Sequence, residues 1–514
     1  MSVDITLFSS PQTFFTRFPI SSRILTSNLY NDKRFKIHEA PNIPTSFYTK
    51  SITELHEKFK PILHKIDEPY SIYADGWCGS NRNKQFGKFP IFYTYSGKYD
   101  NEMLSSLKTE IIFFTAYTVF DFRVLKVLLN DNRKVVVGGS STFVYEPHLI
   151  RKYLIELGVD KEKMEKNLII VRGYVDKTTD LFKIFEKWED AVITENDFTS
   201  FWDCTEDIYM KHIKVYKKVF DTNIGGLLTA KCWWGKCKFC TYVCFPPYDF
   251  TKGVTAEKLF NHFHTIGENY RSKSIFFHDS YINPTEKSRK LFRMLSEDGF
   301  QLSFYTGIKL LSNPKYIEFI NECNVDRIYV GLENTLDFCL KVIRKGYGSK
   351  EVFETIEVLK KYMNKSVTPV ILAMIDLPLN SPSREQAIKD IKLNYRNLYN
   401  IRQDLASAGI GKGVGCQFSL APFRHFPKTN MVDNNLYRYA TKDQMRSDKL
   451  IGIFGLYEYL SEKLGIDISE VEKAKCLSEP LVRHLPNGEL MESDMFHVDK
   501  EVIENLSRWK VPGE

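Results

Sequence analysis

Three cysteines lie within one short run, Cys232-Trp-Trp-Gly-Lys-Cys237-Lys-Phe-Cys240, directly behind an apolar segment, Ile224-Gly-Gly-Leu-Leu-Thr-Ala230. Thiolates are the preferred ligands of iron–sulfur clusters, and most clusters take four of them. Three thiolates hold such a cluster and leave one iron open to a small molecule. An open iron is reactive, so the segment points to an enzyme. Cys237 and Cys240 suit a loop wrapped around one face of a cube-like cluster, and Phe239 between them would shield that face from water. A second chemistry fits the same residues. With Cys244, the run reads C-x4-C-x2-C-x3-C and could close a tetrahedral zinc site. Zinc knuckles usually cap small modules, whereas this run sits at the start of a long series of strands and helices.

That series must position the thiolates. From Ile224 the apolar runs Gly226–Thr229, Ser274–Phe277, Leu302–Tyr305, Arg327–Val330, Val370–Met374 and Gln417–Leu420 read as strands. Helices fill the gaps. Lys315 to Cys323 follows a Ser312-Asn313-Pro314 start signal, and Glu351 to Tyr362 carries Phe353, Ile356 and Leu359 at helical spacing. Strand–helix units of this kind predict a partial or full parallel barrel with ligands at the carboxyl ends of its strands.

The N-terminal part alternates in the same way. Strands are expected at Asp4–Phe8, Glu110–Thr115, Lys134–Val137 and Asn167–Val171, with helices over Phe122–Leu129 and from Pro147, where Leu149, Ile150, Tyr153, Leu154 and Leu157 share a face. Short apolar runs between amphipathic helices predict a parallel sheet covered on both sides. The expected organisation is α/β throughout: a parallel-sheet domain over 1–175, a connecting region over 176–221, a barrel over 222–425 and a small α/β appendage over 426–514. Within the appendage, Lys449–Leu464 reads as an amphipathic helix and Leu485–Leu490 as a turn between short strands.

Bulk composition narrows the function classes. The net charge of +7 is spread over 514 residues, with no clustered basic face to favour nucleic acid. Mixed-sign stretches such as Asp160–Lys166 read as solvated helix surface. The N-terminus lacks a basic region followed by an apolar core, and no apolar run is long enough for a membrane span, so a cytoplasmic protein is expected. The remaining cysteines, Cys78, Cys204, Cys323, Cys339, Cys416 and Cys476, are scattered and read mostly as small buried apolar residues.

The cysteine run, its place after a first strand and the six-unit series behind it resemble the radical S-adenosylmethionine superfamily over about residues 222–425. That superfamily typically carries C-x3-C-x2-C with an aromatic residue before the last cysteine, a position that Phe239 matches. Here the first gap, Trp233-Trp-Gly-Lys236, is one residue longer. The resemblance implies Cys232, Cys237 and Cys240 as ligands of a [4Fe-4S] cluster, while the departure in spacing leaves Cys244 open as an alternative to Cys232. Downstream, His278-Asp279-Ser280 resembles a motif near the methionine amino group. Lys309 matches a position often basic, able to pair with a carboxylate. Gly331-Leu-Glu333-Asn334 is similar to the family's Gly-Leu-Glu-Ser segment, and Glu333 would reach the ribose or the amino group. Ile343-Arg-Lys-Gly346 resembles the Lys-Gly turn that follows, and Leu377-Pro-Leu-Asn380 the loop after the fifth strand. Read without the resemblance, Asp279 could bond backbone amides, Glu333 could be structural, Lys309 and Lys345 could be surface charges, and Trp233 and Trp234 could be packing residues.

The sheet ahead of the motif resembles the cobalamin-binding class of the same superfamily, with a Rossmann-like domain. Gly138-Gly139-Ser140-Ser141 is similar to that class's loop beneath the corrin, and Ile170-Val-Arg-Gly173 with Thr178–Phe182 to its next segment. The usual Gly-Glu-Gly-Glu is replaced by Gly173-Tyr-Val-Asp176, and no Asp-x-His-x-x-Gly motif supplies an imidazole to cobalt. The resemblance implies an enzyme that cleaves S-adenosylmethionine reductively to a 5′-deoxyadenosyl radical and methylates an unactivated carbon of a small-molecule or peptide substrate. An external electron donor of the flavodoxin or ferredoxin type is also implied. The competing readings are a cobalamin-independent radical enzyme performing oxidation, cyclisation or rearrangement, and a zinc or iron–sulfur protein without turnover.

Overall fold

The computed structural model describes residues 3–9, 33–39, 46–49, 71–74, 91–96, 109–116, 122–156, 158–175, 179–193, 202, 224–230, 232–240, 242, 245, 247–270, 272–282, 284–374 and 384–421. The expected C-terminal appendage, Cys244, and the segment Leu377–Asn380 lie outside them.

The first sheet contains β1 (Val3–Ser9), β2 (Phe35–Glu39), β6 (Ile111–Thr115), β7 (Lys134–Gly138), β8 (Leu168–Arg172) and β9 (Ala191–Val192), in the order β2-β1-β6-β7-β8-β9. All its ladders are parallel. Strand order reverses at β1, so β1 and β6 flank a topological switch point, where open α/β sheets bind ligands beyond the strands' carboxyl ends. Helices α1 (Phe122–Asn130), α2 (Ser140–Val144), α3 (Pro147–Glu156) and α4 (Lys161–Asn167) supply the crossovers. Ile150 and Leu154 of α3 are fully buried in the same cluster as Val135 and Val137 of β7, which is why this amphipathic stripe folds onto the sheet. The sheet reaches beyond the expected boundary at residue 175: α5 (Leu181–Lys187), capped by the Asp180 carboxylate accepting from Lys183 N, leads into β9. A small antiparallel sheet, β3 (Ser46–Thr49), β5 (Ile91–Ser96) and β4 (Ser71–Ala74), was not foreseen.

The second sheet runs in sequence order, β10 (Ile224–Gly226), β11 (Ser274–Phe277), β12 (Gln301–Thr306), β13 (Val325–Glu333), β14 (Thr368–Met374) and β15 (Gln417–Ala421), every ladder parallel. Among the described residues these six strands form one parallel sheet, and no ladder joins β15 back to β10. The helices are α6 (Ala256–Tyr270), α7 (Glu286–Glu297), α8 (Ile308–Leu311), α9 (Pro314–Glu322), α10 (Asp337–Val342), α11 (Ser349–Tyr362) and α12 (Arg384–Ser407). Strand alternation divides the aromatic residues. Phe277 stacks on Phe292 of α7 at 4.7 Å, and Phe292 on Phe319 of α9 at 5.9 Å. The neighbouring Phe276 instead meets Tyr305 and Tyr329, at 5.3 and 5.0 Å. The buried stripe of α11 is Val352, Thr355, Ile356 and Leu359, and Phe353 is exposed. Period alone could not choose between two adjacent apolar residues, and the β-branched Val352 took the inner position.

The two sheets meet through rings. Phe143 of α2 lies 5.1 Å from Tyr174 and 4.9 Å from Phe245, and Tyr174 in turn meets Tyr248 and Phe250 at 5.0 and 5.2 Å. Residues at the carboxyl edge of the first sheet therefore touch the segment that follows the cysteine run.

Strand β10 ends earlier than its apolar run implies. It stops at Gly226 because the amides of Leu228 and Thr229 turn to the buried Asp279 carboxylate, at 2.9 and 2.5 Å, and the Thr229 hydroxyl donates to it as well, at 3.0 Å. Thr229 also forms an isolated antiparallel bridge with Asp249. Asp279, at the exit of β11, thus staples the exit of β10 and aims the chain into the cysteine run. Burial pushes the Asp279 carboxyl up to about 6, against the downward pull of those donors. A carboxyl whose folded value lies above its unfolded one holds its proton more readily when folded, so its stabilising contribution is full at low pH and lost as pH rises through about 6. The Asp279→Asn chain has no such group. Between about pH 4 and about pH 7, wild type should lose on the order of 2 kcal/mol of stability relative to that variant. Urea denaturation of both chains across that range checks this, and a constant difference would contradict it.

Candidate active site at the cysteine run

The cysteine run leaves the carboxyl end of β10 and is held by the loop after α10. Lys238 N donates to Ile343 O at 3.0 Å, and Trp234 Nε1 donates to Arg344 O at 2.7 Å. Trp234 packs so closely on Gly346 that a Cβ there would collide with the indole. Gly346 has φ +76° and the preceding Arg344 has φ +56°, so the loop is tightly coiled under the tryptophan. Within the run, Cys240 N donates to Cys237 O at 3.3 Å and closes the turn between those two cysteines.

Cys232, Cys237 and Cys240 are free thiols, each half-buried. Burial pushes Cys237 up to about 11 and Cys240 up to about 12, while Lys345 draws both down. Cys232 adds to the rise at Cys237, and Cys237 and Cys232 both add to the rise at Cys240. Among the described residues, no three His, Cys, Asp or Glu side chains converge as ligands of one metal ion. Three thiols on one loop are a donor set that an iron–sulfur cluster takes, and one cation acts on two of them.

That cation is Lys345. Its Nζ lies 3.4 Å from Glu333 Oε1, 5.8 Å from the Phe239 ring centre and 5.9 Å from that of Tyr347. Burial alone would favour loss of its proton, but Tyr347, Glu333, Cys237 and Cys240 outweigh burial and hold the ammonium above its ordinary value. Burial raises the Glu333 carboxyl, opposed by Lys345. Glu333 itself sits at φ +70°, in the left-handed region, at the end of β13. The Tyr347 hydroxyl donates to Gly331 O at 2.9 Å, tying the lysine loop to the same strand.

The other expected contacts fall in different places. Asp279 spends both oxygens on the backbone and hydroxyl around Thr229, so it positions the run from beneath. Lys309, in α8 just past the carboxyl end of β12, stands over the Trp234 ring at 4.5 Å. Trp233 is exposed and meets Tyr281 edge-on at 5.6 Å. In the first sheet, Gly138 ends β7, and Ser140 opens α2. Gly139, at φ +104°, is required by packing, because a Cβ there would strike the Ala116 backbone. The hydroxyl of the next residue, Ser141, is buried and has no hydrogen-bond partner among the described residues. Sequence reasoning did not single out the Lys345–Glu333 pair, Tyr281 or Tyr347 as site residues. The available signal was Lys345-Gly-Tyr347, a lysine beside a glycine in a turn.

Comparison with known proteins follows the same lines. Residues 227–384 match the model of the radical SAM superfamily. None of the curated proteins compared with the chain matches it. Among solved structures, the cobalamin-dependent S-adenosylmethionine radical enzyme OxsB, with aqua-cobalamin and S-adenosylmethionine bound, is 12% identical with a TM-score of 0.48, over 82% of this chain and 53% of that one. This chain thus spans about half the length of OxsB. Coproporphyrinogen III oxidase (HemN) from Escherichia coli, a radical SAM enzyme, is 9% identical with a TM-score of 0.31, over 57% of this chain and 65% of that one. The superfamily match thus runs from the exit of β10 through the cysteine run to the start of α12, on an all-parallel sheet, and it is this segment, residues 227–384, that is similar to the radical SAM superfamily.

Proposed function

We propose that this protein holds a [4Fe-4S] cluster on Cys232, Cys237 and Cys240 and cleaves S-adenosylmethionine reductively to a 5′-deoxyadenosyl radical. The radical then serves a cobalamin-dependent methylation of an unactivated carbon on a small-molecule or peptide substrate. The reading is carried by three half-buried thiols on one loop at the carboxyl end of β10, backed by a buried lysine. When bound, the cluster supplies one electron to the sulfonium and an open iron for the amino and carboxylate groups of S-adenosylmethionine.

The chain's own residues do the positioning. Phe239, between Cys237 and Cys240 in the chain, would shield a cluster held there. Glu333 offers a carboxylate to the ribose or amino group, and Lys309 offers an ammonium to a carboxylate. Phe276, Tyr305 and Tyr329 give the sheet a wall of rings spaced 5.0–5.3 Å apart, which keeps water from a radical. Gly138, Gly139 and Ser140 form the loop that would hold cobalamin, and the Ser141 hydroxyl, buried without a partner among the described residues, is the polar group a ligand there would satisfy. Cobalamin would supply the methyl group. Phe143, which touches Phe245, places this loop next to the segment after the cysteines. In this reading the enzyme is cytoplasmic and takes electrons from a flavodoxin- or ferredoxin-type donor. No helix among the described residues is long and apolar enough to cross a membrane.

A cobalamin-independent radical enzyme is the second reading, favoured by the buried Phe143 ring already packed between Tyr174 and Phe245. Anaerobic purification with hydroxocobalamin separates the two. Corrin absorbance that stays with the protein in stoichiometric amount supports the first, and its absence supports the second.

Both readings require cleavage of S-adenosylmethionine. After anaerobic reconstitution with iron, sulfide and dithionite, mass spectrometry should detect 5′-deoxyadenosine. Cys237→Ala and Cys240→Ala should reduce it to the level without protein. If Cys244→Ala abolishes the product and Cys232→Ala does not, the ligand assignment is overturned.

A further inference from the structure

The lysine loop carries more than packing. Lys345 is nearly buried, its side chain 11% exposed, and it is fixed on both sides. Before it, Ile343 O and Arg344 O accept from Lys238 N and Trp234 Nε1 of the cysteine run. After it, Gly346 is wedged under Trp234, and the Tyr347 hydroxyl is bonded to Gly331 O. Two left-handed residues, Arg344 and Gly346, flank it. Non-glycine residues hold such a conformation only where the surroundings fix it. The side chain then reaches toward Glu333 and toward Phe239, the residue between Cys237 and Cys240, and both of those thiols feel its charge.

We propose that Lys345 is a positioning residue that presents a fixed positive charge to the cluster and raises its reduction potential. This rests on the cluster assignment made above. Reduction adds one electron to the cluster, delivered by an external one-electron donor, and makes it more negative. A nearby ammonium stabilises that reduced state more than the oxidised one. Burial keeps water and salt from screening the interaction. Net charge around a cluster is among the main determinants of its potential. The sulfonium is hard to reduce, so the potential decides how much of the protein holds the electron when S-adenosylmethionine arrives. The Glu333 carboxylate, 3.4 Å from Nζ, keeps the ammonium charged in a site that would otherwise expel it.

The test is an EPR-monitored redox titration of reconstituted wild type, Lys345→Met, Lys345→Gln and Lys345→Arg, with iron, sulfide and thermal unfolding measured on each. In the two neutral variants the equilibrium constant for one-electron reduction should fall at least tenfold, a shift of about 59 mV to more negative potential. Lys345→Arg should stay near wild type. A neutral variant with a full cluster and an unchanged midpoint overturns the proposal, as does a Lys345→Arg midpoint shifted as far as that of Lys345→Met. If both neutral variants lose the cluster while melting as wild type does, retention of iron by Lys345→Arg supports the charge requirement, and its loss there overturns it. A wild-type protein with no reducible cluster would instead refute the cluster assignment itself.

Discussion

The site depends on one docking event: the loop 343–347 closing over the cysteine run. Two backbone carbonyls of that loop bind the run, Trp234 locks onto Gly346, and Lys345 enters beside Glu333. Without this clamp, a nine-residue segment rich in charge and tryptophan would have little to order it, because it forms no helix or strand of its own. The clamp also sets the charge beside the thiols. Burial raises Cys237 and Cys240 well above the ordinary thiol range, and the Lys345 ammonium, brought in from a distant part of the chain, draws both back down.

A second constraint works from the opposite side. Asp279 pins the amides just past β10, so the cysteine run begins at a fixed point and in a fixed direction. Adjacent parallel strands end side by side, and the residues just beyond their carboxyl ends converge without special design. Gly226 packs under the Phe277 ring, and Gly307 under Tyr281. Glycines there let these two rings close directly onto the strand exits.

Much of this was legible in the sequence. The six strands of the second sheet came from short apolar runs, because buried parallel strands are apolar on both faces and the helices between them carry their own period. The cysteine spacing marked the run as the candidate site. What remained hidden involved contacts between distant residues. The apolar run Gly226–Thr229 reads as strand, and only the carboxylate of Asp279 shows why the ladder stops at Gly226. The lysine at 345 looks like any other surface lysine until Arg344 and Glu333 adopt left-handed conformations, which nothing in their residue types announces. In the first sheet, β2 mixes apolar and charged residues, Phe-Lys-Ile-His-Glu, and β9 is only two residues long, so neither rises above its surroundings.

The central claim is that three thiolates hold a cube-like cluster with one iron left for S-adenosylmethionine. The most direct measurement is EPR spectroscopy of the anaerobically reduced protein, before and after addition of S-adenosylmethionine, with metal analysis of the same sample. The account predicts about four irons per chain and a reduced-cluster signal that changes shape when S-adenosylmethionine binds the open iron. One tightly held zinc per chain, or a cluster signal indifferent to S-adenosylmethionine, would contradict it.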